Sequence, residues 1–431
     1  MRSIGEIKQA LADGSYDPLL SRLYCRPAHR LTPFRDRFIR VMEGYKTTFR
    51  RDDSTSVALF SAPGRTEIGG NHTDHQRGKV LTGSVDLDAL ACAAPNGTQT
   101  VNLYSEGYGL TSVDCGDLSP VKSEENTTPA IVRGILAKIT ELGYPVSGFD
   151  AYVISDVPGG SGLSSSACFE VLMGTVVNGL FCGGVLPMEE IAKIGQYAEN
   201  VYFGKPSGLL DQMGCALGGI VTIDFKDKDR PIARPVDFDF GSAGYALCIV
   251  DTGADHAGLT GDYAAVPAEM RSVAAVFGKS VLSEVEEADF YAAIPEIRKK
   301  AGDRAVLRAV HYFNDCRRVD AQVAALESGD FSRFLTLVNE SGKSSFTYLQ
   351  NISTYRESTD QPVAVALAVA EHLLGGRGAA RVHGGGFAGT IQAFVPLEMV
   401  PDFKAGMDAL LGKDACRVTY IRPVGGCTLI D

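Results

Sequence analysis

Pro158-Gly159-Gly160-Ser161-Gly162-Leu163-Ser164-Ser165-Ser166-Ala167 joins a strand-like stretch, FDAYVISDV (149–157), to a helix-like one, SSACFEVLMGTVVNGLF (165–181). Its glycines allow positive φ angles and a close approach of backbone to ligand. Its serines fall where a helix begins, so free backbone N–H groups and the helix dipole point into the loop. Such a loop is an anion site suited to a polyphosphate. It is not a Walker A loop, because the lysine of G-x-x-x-x-G-K-[ST] is missing. Ser341-Gly342-Lys343-Ser344 has that lysine but lacks the glycine five positions before Gly342. The competing reading of 158–167 is a serine-capped strand-to-helix turn with no ligand.

Outward from this loop, helices and strands mix without a strict βαβ alternation, which predicts an α+β fold with mixed sheets covered by helices. Apolar positions at helical spacing, Phe34, Phe38, Val41 and Met42, mark a helix over 30–50. Strands are expected at 57–62, 219–225 and 245–252, and helices at 188–202, 208–216 and through most of 263–375. A chain of 431 residues is long for one core. The charged segment KDKDRPIARP (226–235) is the best domain junction, giving domains 1–228 and 229–431.

The longest apolar run, Val363 to Ala370, is too short to cross a bilayer, and the N-terminus lacks a signal-peptide core. The expectation is a cytoplasmic protein. A net charge of −11 argues against a nucleic-acid partner. Ten scattered cysteines show no C-x-x-C pair and no zinc spacing, so buried thiols are expected.

Two further segments carry chemistry. Ala62-Pro63-Gly64-Arg65-Thr66-Glu67-Ile68-Gly69-Gly70-Asn71-His72-Thr73-Asp74-His75 packs donors and acceptors around flexible backbone, which suits a polyhydroxylated ligand. The adjacent spacing of His72, Asp74 and His75 is poor for tetrahedral zinc. Gly384-Gly385-Gly386-Phe387-Ala388-Gly389 is by itself as consistent with a tight corner as with a ligand cradle.

In this order and at these separations, the three segments resemble the signature motifs of the GHMP kinases, and of the galactokinases among them. Gly162 to Ala167 matches the phosphate-loop motif G-L-S-S-S-A residue for residue, and residues 64–75 resemble G-R-x-N-x-I-G-E-H-T-D-Y. Residues 384–389 resemble G-G-G-F-G-G, and Gly208-Leu209-Leu210-Asp211-Gln212 resembles G-[IL]-[ML]-D-Q. The resemblance implies the two-domain GHMP kinase fold, with the active site in the cleft between domains. It implies ATP-dependent phosphorylation of a sugar hydroxyl, galactose to α-galactose 1-phosphate. Asp211 would be the proton-accepting or positioning carboxylate and Arg65 its charge partner. ATP would lie on Gly160, Ser161, Gly162, Leu163, Ser164, Ser165 and Ser166. Mg2+ would sit at Ser166 and Glu199, and the small-molecule sugar would meet Asn71, His72, Thr73, Asp74, Gly208 and Tyr263.

The chain departs from the family pattern at several places, four of which bear on the site. Asn71 stands for the glutamate expected to accept from the sugar C6 hydroxyl, Glu67 for an asparagine, His75 for a tyrosine and Ala388 for a glycine. The first two predict a changed sugar side. They keep open a kinase for an amino sugar or uronic acid, with a non-catalytic sugar and ATP sensor as the reading from another class.

Overall fold

A computed structural model of the chain describes residues 1–227, 229–254, 258–354 and 359–431. The domain division expected at 228 falls on a residue outside the described ones. The larger sheet, of nine strands, is built on β1 (Arg2–Ser3), β2 (Ser56–Gly69), β3 (Lys79–Pro95), β4 (Thr100–Ser105), β5 (Gly109–Asp114) and β6 (Phe149–Ser155). They run in the order β1-β2-β3-β6-β4-β5, antiparallel except for the parallel pair β4 and β6. The hairpin of β7 (Ile220–Asp224) and β8 (Ile232–Val236) attaches to the first half of β3. Residues 232–235 of the charged segment therefore belong to the second strand of this hairpin.

Side chains of these strands alternate between two cores, as period-2 geometry requires. Ala58, Phe60, Ala62, Ala91 and Val153 face α4 (Thr128–Glu141), α5 (Ser165–Phe181), α6 (Met188–Tyr197) and α7 (Leu210–Leu217) below, while Val57, Leu59, Leu90 and Ile154 face the other way. There they meet the N-terminal helices at 4–12 and 17–24 and the expected one, Thr32–Phe49, which buries Phe38, Val41 and Met42.

The second sheet has the antiparallel order β10-β11-β9-β12, from β9 (Tyr245–Asp251), β10 (Ala379–His383), β11 (Thr390–Pro396) and β12 (Cys416–Thr419). Helices at 362–374 and 400–411 cover it with Val363, Ala366, Ala370, Phe403 and Met407. α8 (Thr260–Val276) and α9 (Glu287–Ala301) pack against α10 (Asp303–Glu327), which packs on β3 of the first sheet, while α11 (Phe331–Ser344) packs on β10 of the second. The chain then returns, and β13 (Cys427–Ile430) pairs with β2. Buried Arg422 precedes it and donates to Asp88 Oδ2 of β3 at 2.9 Å and to Ser61 Oγ of β2 at 2.8 Å. The two ends of the chain are thus held in one structure.

All ten cysteines are free thiols, six of them buried. Among the described residues no helix is long and apolar enough to cross a membrane.

Candidate active site

The glycine-serine loop connects β6 to α5, as its residue types require. Gly160 and Gly162 have φ of 74° and 69°, and Ser164, the residue before α5, has φ of 58°. Left-handed backbone at a serine costs free energy and is held only where surrounding structure enforces it. The Ser161 hydroxyl donates to Pro158 O at 2.7 Å, closing the loop on itself. Ser166 is exposed at the helix N-terminus and Ser165 half-buried.

β2 runs directly beside this loop. The Arg65 N–H donates to Leu163 O at 3.0 Å, and a Cβ on Gly64 would lie only 2.8 Å from that oxygen. No larger residue fits at 64. The β2–β3 register slips between Pro63 and Arg65, a bulge that re-aims the arginine. Arg65 is buried at 5% exposure and its guanidinium bridges two elements. Nε and Nη2 donate to Asp211 Oδ1 at 2.9 and 2.6 Å, and Nη1 donates to Gly162 O. Burial alone would lower the Arg65 pKa, but the carboxylates of Asp211 and Glu67 raise it. Asp211, in the first turn of α7, keeps 43% of its side chain exposed.

Beneath Asp211 lies a buried acidic pair that the sequence reading half missed. Gln212 Nε2 donates to Glu170 Oε2 at 2.8 Å and to Glu199 Oε2 at 3.0 Å, while Lys205 Nζ donates to Glu199 Oε1 at 2.9 Å. Glu199 sits on a π-helical turn, Ala198–Phe203, of a kind frequent at functional sites. Burial and the neighbouring Glu199 push Glu170 up to about 8, and its Oε1 has no hydrogen-bond partner. The signal for Glu170 was its place one helical turn after Ser166. Ser166 and Glu199 offer hard oxygen donors of the kind Mg2+ takes when it also binds nucleotide phosphates. Among the described residues no cluster of three or more His, Cys, Asp or Glu is placed to hold a metal ion.

On the other side of Asp211, Asp74 Oδ1 accepts from His75 Nδ1 at 2.9 Å. Burial opposes the Asp74 charge, yet His75 wins and lowers it to about 2; Asp74 in turn raises His75. A Cβ on Gly208 would collide with Asp74 Oδ2 and lie 3.7 Å from the His75 ring, so only glycine fits there. Asp74, His75, Gly208 and Asp211 therefore converge.

The remaining expected sugar contacts turn elsewhere. Thr73 Oγ1 closes its own turn on Gly70 O at 2.8 Å and Lys79 O at 2.6 Å. The other three each hold a carbonyl of the triple glycine. Asn71 Nδ2 donates to Gly384 O at 2.7 Å, His72 Nε2 to Gly385 O at 2.8 Å, and Tyr263 Oη to Gly386 O at 2.6 Å. Burial lowers His72 to about 4, so it donates as a neutral ring. Asn71 is fully buried, and its amide also donates to Glu67 Oε1 at 2.9 Å while Oδ1 accepts from Asn351 at 2.9 Å and Ser345 at 3.2 Å. That uses every donor and acceptor site of the amide. The expectation that Asn71 reads the sugar gives way to a structural role.

Comparison with known proteins points to a family. Residues 43–95 match the galactokinase galactose-binding signature and residues 130–219 the GHMP kinases N terminal domain. The chain is 32% identical to a galactokinase of Streptomyces coelicolor over 357 residues, 82% of this chain and 86% of that one. It is 31% identical to a galactokinase of Glaesserella parasuis over 79% of this chain and 85% of that one. The chain belongs to the galactokinase family. Its fold also superimposes on Lactococcus lactis galactokinase complexed with galactose, with a TM-score of 0.77 at 25% identity, covering 90% of this chain and 99% of that one. The mevalonate kinase of Methanococcus jannaschii shares the fold alone, with a TM-score of 0.60 at 15% identity over 85% of this chain and 98% of that one.

Against the galactokinase pattern, the departures at 67 and 71 are a reciprocal exchange. The family's asparagine and glutamate have traded places, and the exchanged pair is in direct contact at 2.9 Å. Glu67 is further held by buried Arg381 at 2.6 Å. Ala388 does not adopt a positive φ, unlike Gly384, Gly386, Phe387 and Gly389 around it, so glycine is not required there.

Proposed function

We propose that this chain transfers the γ-phosphoryl group of ATP to the anomeric hydroxyl of galactose. One observation carries the reading: the Arg65 guanidinium joins Asp211 to the Gly162 carbonyl, between the glycine-serine loop and the Asp74–His75–Gly208 cluster. A phosphoryl acceptor and donor must meet in such a place.

The roles follow from position. N–H groups of residues 160–166 would hold the nucleotide phosphates at the head of α5. The sugar would lie against Asp74, His75 and Gly208. Its hydroxyl proton would pass to Asp211, the one carboxylate of the site with an open flank. Arg65 would stabilise charge developing on the transferring group and needs no rearrangement to do so. Ser166 and Glu199 would hold Mg2+, which when bound neutralises phosphate charge. Asn71, the residue that favoured a different sugar, is fully buried and gives that alternative no support.

The test is a panel of hexoses, amino sugars and uronic acids assayed for sugar-dependent ADP release, with 31P NMR of the product. Galactose should give the highest kcat/KM and a 1-phosphate. A clearly higher kcat/KM for another sugar would overturn the assignment.

A further inference from the structure

His383, the last residue of β10, and Thr390, the first of β11, stand in register across the glycine loop. Both are 1% exposed. His383 Nε2 lies 3.2 Å from the backbone nitrogen of Glu67, which can only donate. Nε2 is therefore the bare nitrogen and the ring proton is on Nδ1. That assigns a direction to a whole run of buried hydrogen bonds. Gln392 Nε2 donates to Thr66 Oγ1 at 2.7 Å, and that hydroxyl donates to His383 Nε2 at 3.0 Å. His383 Nδ1 then donates to Thr390 Oγ1 at 2.9 Å, and Thr390 donates to the backbone oxygen of Ser161 at 3.0 Å. Burial and the nearby cations of Arg65 and Arg381 keep the ring neutral, so the direction does not reverse on mild acidification.

The run ends on the phosphate loop. The peptide it grips joins Ser161 to Gly162, and Gly160 and Gly162 both have positive φ. A peptide beside such glycines can flip at little steric cost. A flipped carbonyl would present its negative end to an anion. Because the peptide is planar and trans, pinning the Ser161 carbonyl inward turns the Gly162 N–H the opposite way. The same two side chains also fill the space over Gly162, where a Cβ would lie 2.7 Å from Thr390 Oγ1 and 2.9 Å from His383 Nδ1.

We propose that His383 and Thr390 are positioning residues for the nucleotide, holding the Ser161–Gly162 peptide so that its N–H faces the phosphates. This rests on the reading of residues 160–166 as the ATP phosphate site. The experiment measures calorimetric affinity for a non-hydrolysable ATP analogue, together with KM for ATP and for sugar, in the intact enzyme. Thr390→Val and His383→Gln should raise nucleotide Kd and KM for ATP roughly ten-fold, with sugar KM kept within about two-fold. Thr390→Ser should restore nucleotide affinity. His383→Asn, which can still donate toward Thr390, should bind nucleotide more tightly than His383→Gln, so the pair reads the same link if Thr390→Val does not fold. Wild-type affinity in Thr390→Val, an equal rise in both KM values, no rescue by serine, or the reverse order of the His383 variants would each overturn the proposal. If the wild-type enzyme itself bound no nucleotide, the underlying reading of the loop would fall instead.

Discussion

Arg65 places both of its hydrogen bonds to Asp211 on the same oxygen, Oδ1, at 2.9 and 2.6 Å. Among the described residues Oδ2 has no hydrogen-bond partner. One oxygen of the carboxylate is thereby fixed to the protein, and the other would meet the substrate hydroxyl in the proposed reaction. Replacing Asp211 by Asn preserves size but cannot accept the proton. We expect kcat to fall about 10³-fold with KM for ATP little changed. Because Asp211 is the counter-charge of buried Arg65, the melting temperature should fall as well, and kcat is read below the onset of the variant's melt. A variant retaining a tenth of the wild-type rate would remove Asp211 from the chemistry.

Arg65 reaches Asp211 and Gly162 O together because a guanidinium is a planar fork. Lysine carries the charge on a single point and cannot span both. Arg65→Lys should lower kcat about 100-fold and lower the melting temperature too, since Gly162 O loses its buried donor. Unchanged kcat would mean that charge alone suffices.

Asn71 and Glu67 form a contact whose partners can be exchanged back. Asn71→Glu alone sets two buried carboxylates against each other and should destabilise the fold by about 3 kcal/mol. Glu67→Asn alone removes the carboxylate that faces Arg381. The double variant should recover at least about 1 kcal/mol relative to the sum of the singles. Urea denaturation of all four proteins measures this, and strict additivity would show that the exchange is not compensatory. Sugar preference should not follow Asn71→Ala, because the amide faces the glycine loop.

His75 titrates above 6.5 in the folded enzyme, chiefly through Asp74. A raised histidine pKa contributes stability that is complete below 6.5 and lost as pH rises through the folded value. Wild type should therefore lose stability relative to His75→Gln as pH is raised above neutrality. Glu170 adds a loss of the same sign, beginning at 4.5 and ending near its folded value of about 8, which Glu170→Gln should abolish. Denaturant midpoints across this range decide both, and a curve for either variant parallel to wild type would refute its assignment.

Glu199 is held by Lys205 and Gln212 in a fixed orientation, as a metal-directed carboxylate needs. Glu199→Gln should raise the Mg2+ concentration for half-maximal rate about 10- to 100-fold. An unaltered Mg2+ titration curve would assign the metal elsewhere.

Much of the fold was legible in local pattern. The helix over 30–50, the strand entering the phosphate loop and the helix leaving it carry unbroken periodicity, and they form at 32–49, 149–155 and 165–181. The central strand β3, residues 79–95, was not, because it is buried on both faces for most of its length and lacks clean alternation. The return of β13 to β2 was equally hidden, since strand pairing across more than 350 residues leaves no local trace.

By itself the sequence determined the glycine-serine loop at the head of α5 and the Asp211 helix start. Glycine freedom and helix-end chemistry act within a few residues, so they need no distant partner. Only the tertiary structure decided which way each polar side chain turns. Asn71 stands among the residues expected to grip the sugar, yet it faces Gly384 and Asn351, about 300 positions away in the chain. A buried amide must find every one of its hydrogen bonds, and where those partners lie depends on how the second sheet docks against the first.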